Sequence, residues 1–536
     1  MCLISMVGKL LERLINNRLN AEIENKGLLN SDQYGFRAGR STLDALKRVD
    51  DFINKIKEKA LRNREFCIMF MLDIKNAFNS APWSGIIKAL ETKKFSGYLI
   101  EILDSYLMNR SIVLPSGGSR AVTCGVPQGS ILGPVLWNIF YDKILEVQLE
   151  EGVLSLAYAD DLAVLVRGKS KEIIVEKANL AIGKIRDTLG EMGLATADEK
   201  TELVVVEGRR TIVDIDLRVG DAIVSSQPYA RYLGLYIDRN YRLASHVNEI
   251  SKRALKKYNM LFLFRLLPRK GGPGYWKRKI LSNVVLSTML YAAPAWKKVM
   301  DHFRYRNSLN SVLRRVGIGV IGGYRTASTV AVQVLAGIPP VDLLVRERVE
   351  LNDLGRLYKN EIRNRLFLDW QSRWDTYEGW AKVFVGNVQN FCERKWGEIN
   401  YYSAQMLTGH GIFCSYLFKI RKKDTPTCWF CKEEDTPEHT LFYCIRFIEL
   451  RREANLKCGL EINRDNIKNL LLRSEQDWLC LMGLFEDIIK IKEDWVRRSE
   501  REGGISKLMC TSRNLLTDLV LEFIFQESVI VIVLLL

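Results

Sequence analysis

Three aspartates carry the first chemical signal in this 536-residue chain. Two stand together in Leu154-Ser155-Leu156-Ala157-Tyr158-Ala159-Asp160-Asp161-Leu162-Ala163-Val164-Leu165-Val166, where apolar runs flank a tight Ala159-Asp160 centre. That pattern predicts a β-hairpin with its carboxylates crowded at the tip. The third, Asp73, closes the apolar run Phe66-Cys67-Ile68-Met69-Phe70-Met71-Leu72, 87 positions before Asp160. A carboxylate ending a buried strand is costly unless it is paired or bound to metal. The chain between is long enough to bring this strand back beside the hairpin in one antiparallel sheet. Like charges that close raise a pKa unless a cation lies between them. Mg²⁺ suits the place, since it takes one or two carboxylates together with substrate phosphates. An Asp-rich polar turn is the plain alternative for the hairpin alone.

A second cluster lies far downstream. Cys428, Cys431, His439 and Cys444 follow the pattern Cys-x2-Cys-x7-His-x4-Cys, and the chain has only four histidines. Three thiolates and an imidazole are the donor set of tetrahedral Zn²⁺.

Two loops add chemistry. Asp32-Gln33-Tyr34-Gly35-Phe36-Arg37-Ala38-Gly39-Arg40-Ser41-Thr42 sets Arg37 and Arg40 beside glycines, a combination able to grip a triphosphate or simply to be solvated. Thr123-Cys124-Gly125-Val126-Pro127-Gln128-Gly129-Ser130 holds the flat Gln128 amide between constrained residues, which suits contact with a nucleotide. Ser130 is the expected N-cap of a following helix whose buried face is Leu132, Val135, Leu136, Ile139, Phe140 and Ile144.

The positioning elements read as follows. Residues 5–27 are helical, stopping at Gly27, with Lys9, Glu12 and Arg13 marking an amphipathic helix rather than a secretory leader. Helices are expected at 42–60 and 170–191, and strands at 203–206 and 231–238. From about 245 to 300 the chain is helical and basic, including Lys252, Arg253, Lys256, Lys257, Arg265, Arg269, Lys270, Lys277, Arg278 and Lys279, with aromatics interleaved. Such a face neutralises phosphates or is merely solvated. Residues 301–423 and the last ninety or so are helical without assignable chemistry. The apolar end, Val529 to Leu536, is too short to span a bilayer.

Composition sets the class. Hydrophobic content of 47% with 26% charged residues is that of globular protein, and a net charge of +16 points to a polyanionic partner. Eleven cysteines without a leader are expected to be reduced, so clustering hints at metal.

Taken together, the strings resemble the reverse transcriptases of non-long-terminal-repeat (LINE-type) retrotransposons, in the carboxyl-terminal part of the element polyprotein. The resemblance rests on Gln33-Tyr34-Gly35-Phe36-Arg37, on Asp73 to Phe78 with Asn79, on Gly125-Val126-Pro127-Gln128-Gly129-Ser130 and on Tyr158-Ala159-Asp160-Asp161. It extends through Gly193-Leu194, Glu199-Lys200-Thr201, Tyr232-Leu233-Gly234, Leu290-Tyr291-Ala292-Ala293-Pro294-Ala295-Trp296 and the Cys-Cys-His-Cys cluster, covering roughly residues 4–450.

The resemblance implies an α+β right-hand polymerase with fingers, palm and thumb. The palm sheet is antiparallel, and a mostly helical carboxyl-terminal region carries a small zinc knuckle. The implied divisions are partial fingers at 1–65, palm at 66–240, thumb at 241–300, a helical connection at 301–423, the knuckle at 424–447 and a helical tail at 448–536. It implies that Asp73, Asp160 and Asp161 hold two Mg²⁺, with the Ile74 carbonyl as a further ligand. Adjacent strand residues face opposite ways, which ranks Asp161 below the other two as a direct ligand. Phe78 would be the steric gate excluding a ribose 2′-hydroxyl, and Arg37 would hold phosphates. Gln128 and Gly129 would meet the incoming nucleotide and template, and Lys200 would protonate pyrophosphate as general acid. The partners implied are an RNA template, a DNA primer and deoxynucleoside triphosphates, with no membrane, and the expected place of action is the nucleus or otherwise the cytoplasm.

The family pattern normally begins upstream of Met1, so part of the fingers is expected to be missing. Nothing corresponds to the endonuclease domain of such elements, so the chain alone is not expected to nick DNA. The competing readings are a non-catalytic nucleic-acid-binding remnant and an RNA-templated RNA polymerase. The latter would want a small or polar residue where Phe78 stands.

Overall fold

Side-chain alternation decides the centre of the fold. In the computed structural model, which describes residues 4–60, 63–113, 117–127, 129–207, 214–262 and 272–501, the apolar run before Asp73 is the strand Phe66–Leu72. It lies inside a four-stranded antiparallel sheet of spatial order Val153–Tyr158, Asp161–Gly168, Phe66–Leu72, Glu202–Glu207. Phe66, Ile68, Phe70 and Leu72 share one buried cluster with Leu162, Val164 and Val166 and with Ile174, Ala178, Ile182 and Ile185 of the helix Lys171–Glu191. Successive strand residues face opposite ways, so Cys67 and Met69 turn to the other face. There the helix Thr42–Lys57 touches the strands Val153–Tyr158 and Glu202–Glu207. Both faces are covered, which is why these strands read as continuous apolar runs.

Several local expectations shift by a few residues. The first helix is Met6–Lys26, opened by the Ser5 hydroxyl accepting the Gly8 N–H at 3.1 Å and closed by Gly27 at φ 61°. Glu12, read as part of its polar face, is 2% exposed. The helix expected to start at Ser130 runs Gly133–Tyr141 instead, with Pro134 in its first turn and Leu132 as the cap position. Ser130 still serves the helix start, since its hydroxyl accepts the Gly133 N–H at 2.8 Å. Residues 231–238 form no single strand. Tyr229–Tyr232 and Leu235–Asp238 pair as a hairpin, because Leu233 and Gly234 both take positive φ, 45° and 84°.

The chain divides into two compact units, Met1–Ile250 with Tyr291–Arg306 and Ser251–Leu290 with Asn307–Leu536. The first contains the sheet. The second is built of helices, among them Val341–Leu354, Lys359–Asp375, Ile448–Cys458 and the 27-residue Glu475–Arg501. Among the described residues no single helix is long and apolar enough to cross a membrane. The apolar run 529–536 and the basic residues Arg265, Arg269 and Lys270 lie outside the described residues.

Candidate active site and metal centre

The sheet register brings the three carboxylates together. Leu72 pairs with Leu162 at the end of the ladder, so Asp73 and Asp161 come next on neighbouring strands. Tyr158 pairs with Asp161, leaving Ala159 and Asp160 as the two-residue turn. Burial raises the Asp160 carboxyl above its ordinary value, its own backbone N–H partly offsets this, and the charge of Asp73 adds to it. Asp161 is pushed up to about 6, first by loss of water and then by Asp160 and Asp73. Behind them the buried Tyr141 and Tyr232 hydroxyls have no hydrogen-bond partner among the described residues, and burial with the nearby carboxylates keeps both phenols protonated.

Lys200 completes the group. It ends the short turn Asp198–Lys200, and its Nζ lies 3.0 Å from Asp73 Oδ2 while its stem stays exposed. A cleft of about 440 Å³ opens here, lined by Asp73, Asp161, Lys200, Glu202, Arg231 and Tyr232 among others. Three converging carboxylates, with Asp160 and Asp161 raised partly by the charge of Asp73, fit a divalent cation with oxygen ligands. The backbone agrees. Lys75 N–H donates to the Ala195 carbonyl and Ala197 N–H to that of Asp73, forming an antiparallel bridge about Ile74 and Thr196. In such a bridge the central residue's own carbonyl faces away from the partner strand, so that of Ile74 is left for another ligand.

Protons and a divalent cation compete for the same oxygens. The Mg²⁺ concentration for half-saturation is therefore expected to rise as pH falls through about 6, measured by titration calorimetry. A midpoint unchanged between about pH 7.5 and about pH 5.5 would contradict this coupling. For the ion-free protein, the folded state binds this proton more tightly than the unfolded chain. Asp161 thus lowers stability as pH rises from 3.8 through about 6.

Phe78 stands at the head of an aromatic ladder. Its ring stacks on Trp137 at 5.0 Å and 25°, Trp137 stacks on Tyr141 at 5.1 Å, and Phe36 meets Phe78 edge-on at 6.0 Å. The Gly125 loop is stitched beside it. Gly125 N–H donates to the Ala81 carbonyl and Val126 N–H to that of Phe78, each at 2.7 Å. Gly129 has φ 108°, which favours glycine, and Gln128 lies outside the described residues.

Not every expected ligand is presented openly. Arg37 Nη1 donates to the Asn30 carbonyl at 2.8 Å, Nη2 lies 3.6 Å from Glu24, and only 9% of the side chain is exposed. Gripping a phosphate would require the guanidinium to leave those partners. In the basic helical region, Lys257 donates to Thr288 and Arg278 to the Ile399 carbonyl, so these two cations serve the fold.

Sequence reasoning overlooked two buried polar residues here. Glu12 accepts the Tyr106 hydroxyl at 2.6 Å and the Ile131 N–H at 2.7 Å, fixing the end of the Gln128 loop. Gln33 is fully buried against the Ala159 turn. Its one sequence signal is a polar side chain inside a glycine-punctuated motif.

In the second unit the ligand atoms of Cys428, Cys431, His439 and Cys444 all lie within 4.8 Å of one another. The Cys428–Cys444 and Cys431–Cys444 sulfurs are 3.9 and 4.0 Å apart. Zn–S bonds in a tetrahedron require about 3.8 Å, so the group can bind zinc. Hydrogen bonds from Cys444 and from the Phe430 and Cys431 N–H groups hold Cys428 below the usual thiol range.

Residues 1–237 match the sequence profile described as "Reverse transcriptase (RNA-dependent DNA polymerase)". Residues 1–237 thus carry a reverse transcriptase domain. The similarity runs beyond that domain. The chain is 26% identical over 481 residues to a 115 kDa protein of the type-1 retrotransposable element R1DM of Drosophila melanogaster, covering 84% of this chain and 45% of the relative. It is 30% identical over 263 residues to the RNA-directed DNA polymerase of the Drosophila melanogaster mobile element jockey, covering 47% and 28%. A solved telomerase from Candida tropicalis is similar at 14% identity and a TM-score of 0.34, over 66% of this chain and 56% of that one. The chain spans a little under half the length of the R1DM relative. Within the reverse transcriptase domain, the antiparallel sheet that carries Asp73, Asp160 and Asp161 is the palm.

Proposed function

We propose that the chain is an RNA-directed DNA polymerase that extends a 3′-hydroxyl primer along an RNA template, using deoxynucleoside triphosphates. The observation that carries this reading is the convergence of Asp73, Asp160 and Asp161 at one sheet end, with Lys200 against Asp73. The family match of residues 1–237 supports the same chemistry.

Asp73 and Asp160 would hold two Mg²⁺, completed by Asp161 and the Ile74 carbonyl. When bound, such ions supply a lowered pKa for the primer hydroxyl and charge neutralisation for pyrophosphate. The chain's own residues do the rest. The primer 3′-hydroxyl releases its proton to solvent, and its oxygen bonds the α-phosphorus as the bond to pyrophosphate breaks. Lys200 stands on an exposed stem beside that place and hands a proton to the leaving oxygen. Phe78, held by Trp137, closes the space a 2′-hydroxyl would need. Gln128 and Gly129 meet the base pair being formed, and Arg37 takes phosphate if its guanidinium swings out.

Cys428, Cys431, His439 and Cys444 hold a structural Zn²⁺ under this reading. Lys256 and Lys277, both exposed, are offered to the nucleic-acid backbone. A primer in chromosomal DNA places the reaction in the nucleus, and a tagged chain confined to the cytoplasm would contradict that placement.

The test is extension of a labelled primer on an RNA template with Mg²⁺. A product complementary to the template is expected. Tight binding of the primed template without any extension would favour the remnant reading instead.

A further inference from the structure

The hairpin tip that carries Asp160 has an unexpected first residue. Ala159 sits at φ 60° while Asp160 does not take positive φ. Among two-residue hairpin turns, that arrangement ordinarily calls for glycine in the first position. An alanine there needs support from outside the turn.

Gln33 supplies the support from a loop 126 residues away. Its Oε1 accepts the Ala159 N–H at 3.1 Å and the Gly35 N–H at 3.0 Å, and its Nε2 donates to the Ala159 carbonyl at 3.4 Å. One carboxamide thus grips both backbone groups of the strained residue. The loop itself is tied down alongside. Tyr34 N–H donates to the Ala157 carbonyl and Ala157 N–H to that of Asp32, each at 2.9 Å, so Gln33 runs parallel to the first hairpin strand. Asn138, itself buried, donates to the Gly35 carbonyl at 2.7 Å. Gly35 lies so near the turn that a Cβ there would stand 2.1 Å from the Ala159 nitrogen. No other residue type allows this approach.

We infer that Gln33 is a positioning residue, whose carboxamide holds Ala159 in its left-handed conformation and so aims Asp160 at its place beside Asp73. The inference rests on the polymerase reading above, but its test is built to be judged separately. Four proteins are compared: the parent, Gln33→Met, Ala159→Gly, and the double variant. Glycine takes positive φ unaided, so the double variant no longer needs the clamp.

Two readouts are taken, single-nucleotide extension kinetics and Mn²⁺ binding without nucleotide. Gln33→Met is expected to lower kcat by roughly tenfold to a hundredfold, with the nucleotide KM within about threefold of the parent, and to weaken Mn²⁺ binding. The double variant is expected to recover most of both losses. A merely structural Gln33 would give no such recovery, because Ala159→Gly adds chain entropy and restores no packing. Unchanged kcat and Mn²⁺ affinity in Gln33→Met, or no recovery in the double variant, would overturn the inference. Should Gln33→Met not fold, Gln33→Leu takes its place, and failure of both to fold overturns it equally. If the parent itself does not extend primers, the polymerase reading fails, and the Mn²⁺ affinities alone decide the role of Gln33.

Discussion

Asp435→Ala is expected to destabilise the helical unit by about 3–5 kcal/mol, because it leaves a buried ammonium without its counter-charge. Lys492 and Asp435 side chains are both fully buried. Lys492 Nζ donates to both carboxylate oxygens at 2.6 Å and to the Thr440 hydroxyl at 3.1 Å, with the Trp429 and Phe413 rings 5.3 and 5.5 Å away. Asp435 also accepts the Cys414 N–H at 2.8 Å and the Thr440 hydroxyl at 2.6 Å. Burial alone would raise the Asp435 carboxyl, but Lys492 and these bonds hold it below its ordinary value. Its contribution is therefore present above 3.8 and lost as pH falls through the lower folded value. The same residue frames the cysteine loop, since its N–H donates to the Pro426 carbonyl and its carbonyl accepts from Ser415. Denaturant midpoint and zinc content are thus expected to fall together. An Asp435→Leu, Lys492→Met double variant should regain much of the stability, as apolar pairs replace buried ion pairs at little cost. A midpoint unmoved by Asp435→Ala would contradict this account of the pair.

The second large effect is expected at Phe78. Its ring is fixed by stacking on Trp137, which is fully buried and stacked in turn on Tyr141. In the proposed gate role, Phe78→Ala would open the space beside the sugar, and incorporation of ribonucleotides relative to deoxynucleotides is expected to rise by about 10²-fold. Competition between the two nucleotides on one primed template measures this ratio. A ratio equal to the parent's would remove Phe78 from the gate.

What the sequence disclosed was local. The strand before Asp73, the hairpin around Asp160 and the four-ligand cluster each show in a short window, because period-two alternation and ligand spacing are properties of neighbouring residues. What it withheld depends on pairings formed only after folding. The Gln33 clamp on Ala159 spans 126 positions and the Glu12 bond to Ile131 spans 119. Glu12 in particular read as solvated, since its helix shows charge at helical spacing and nothing local marks one charge as buried. The Arg231 to Asp238 stretch alternates like one strand, and only the backbone at Leu233 and Gly234 turns it into two. Arg37 was placed by motif alone, and its hydrogen bond to Asn30 inside the same loop has no composition signature.

The most direct test of the central claim compares the parent with Asp160→Asn on one primed RNA template, measuring both binding and Mg²⁺-dependent deoxynucleotide incorporation. The carboxylate account predicts template-directed extension by the parent, a loss of about 10³-fold or more in the variant, and equal binding by both. Extension that survives the substitution, or a parent that binds the template and never extends it, would contradict the account.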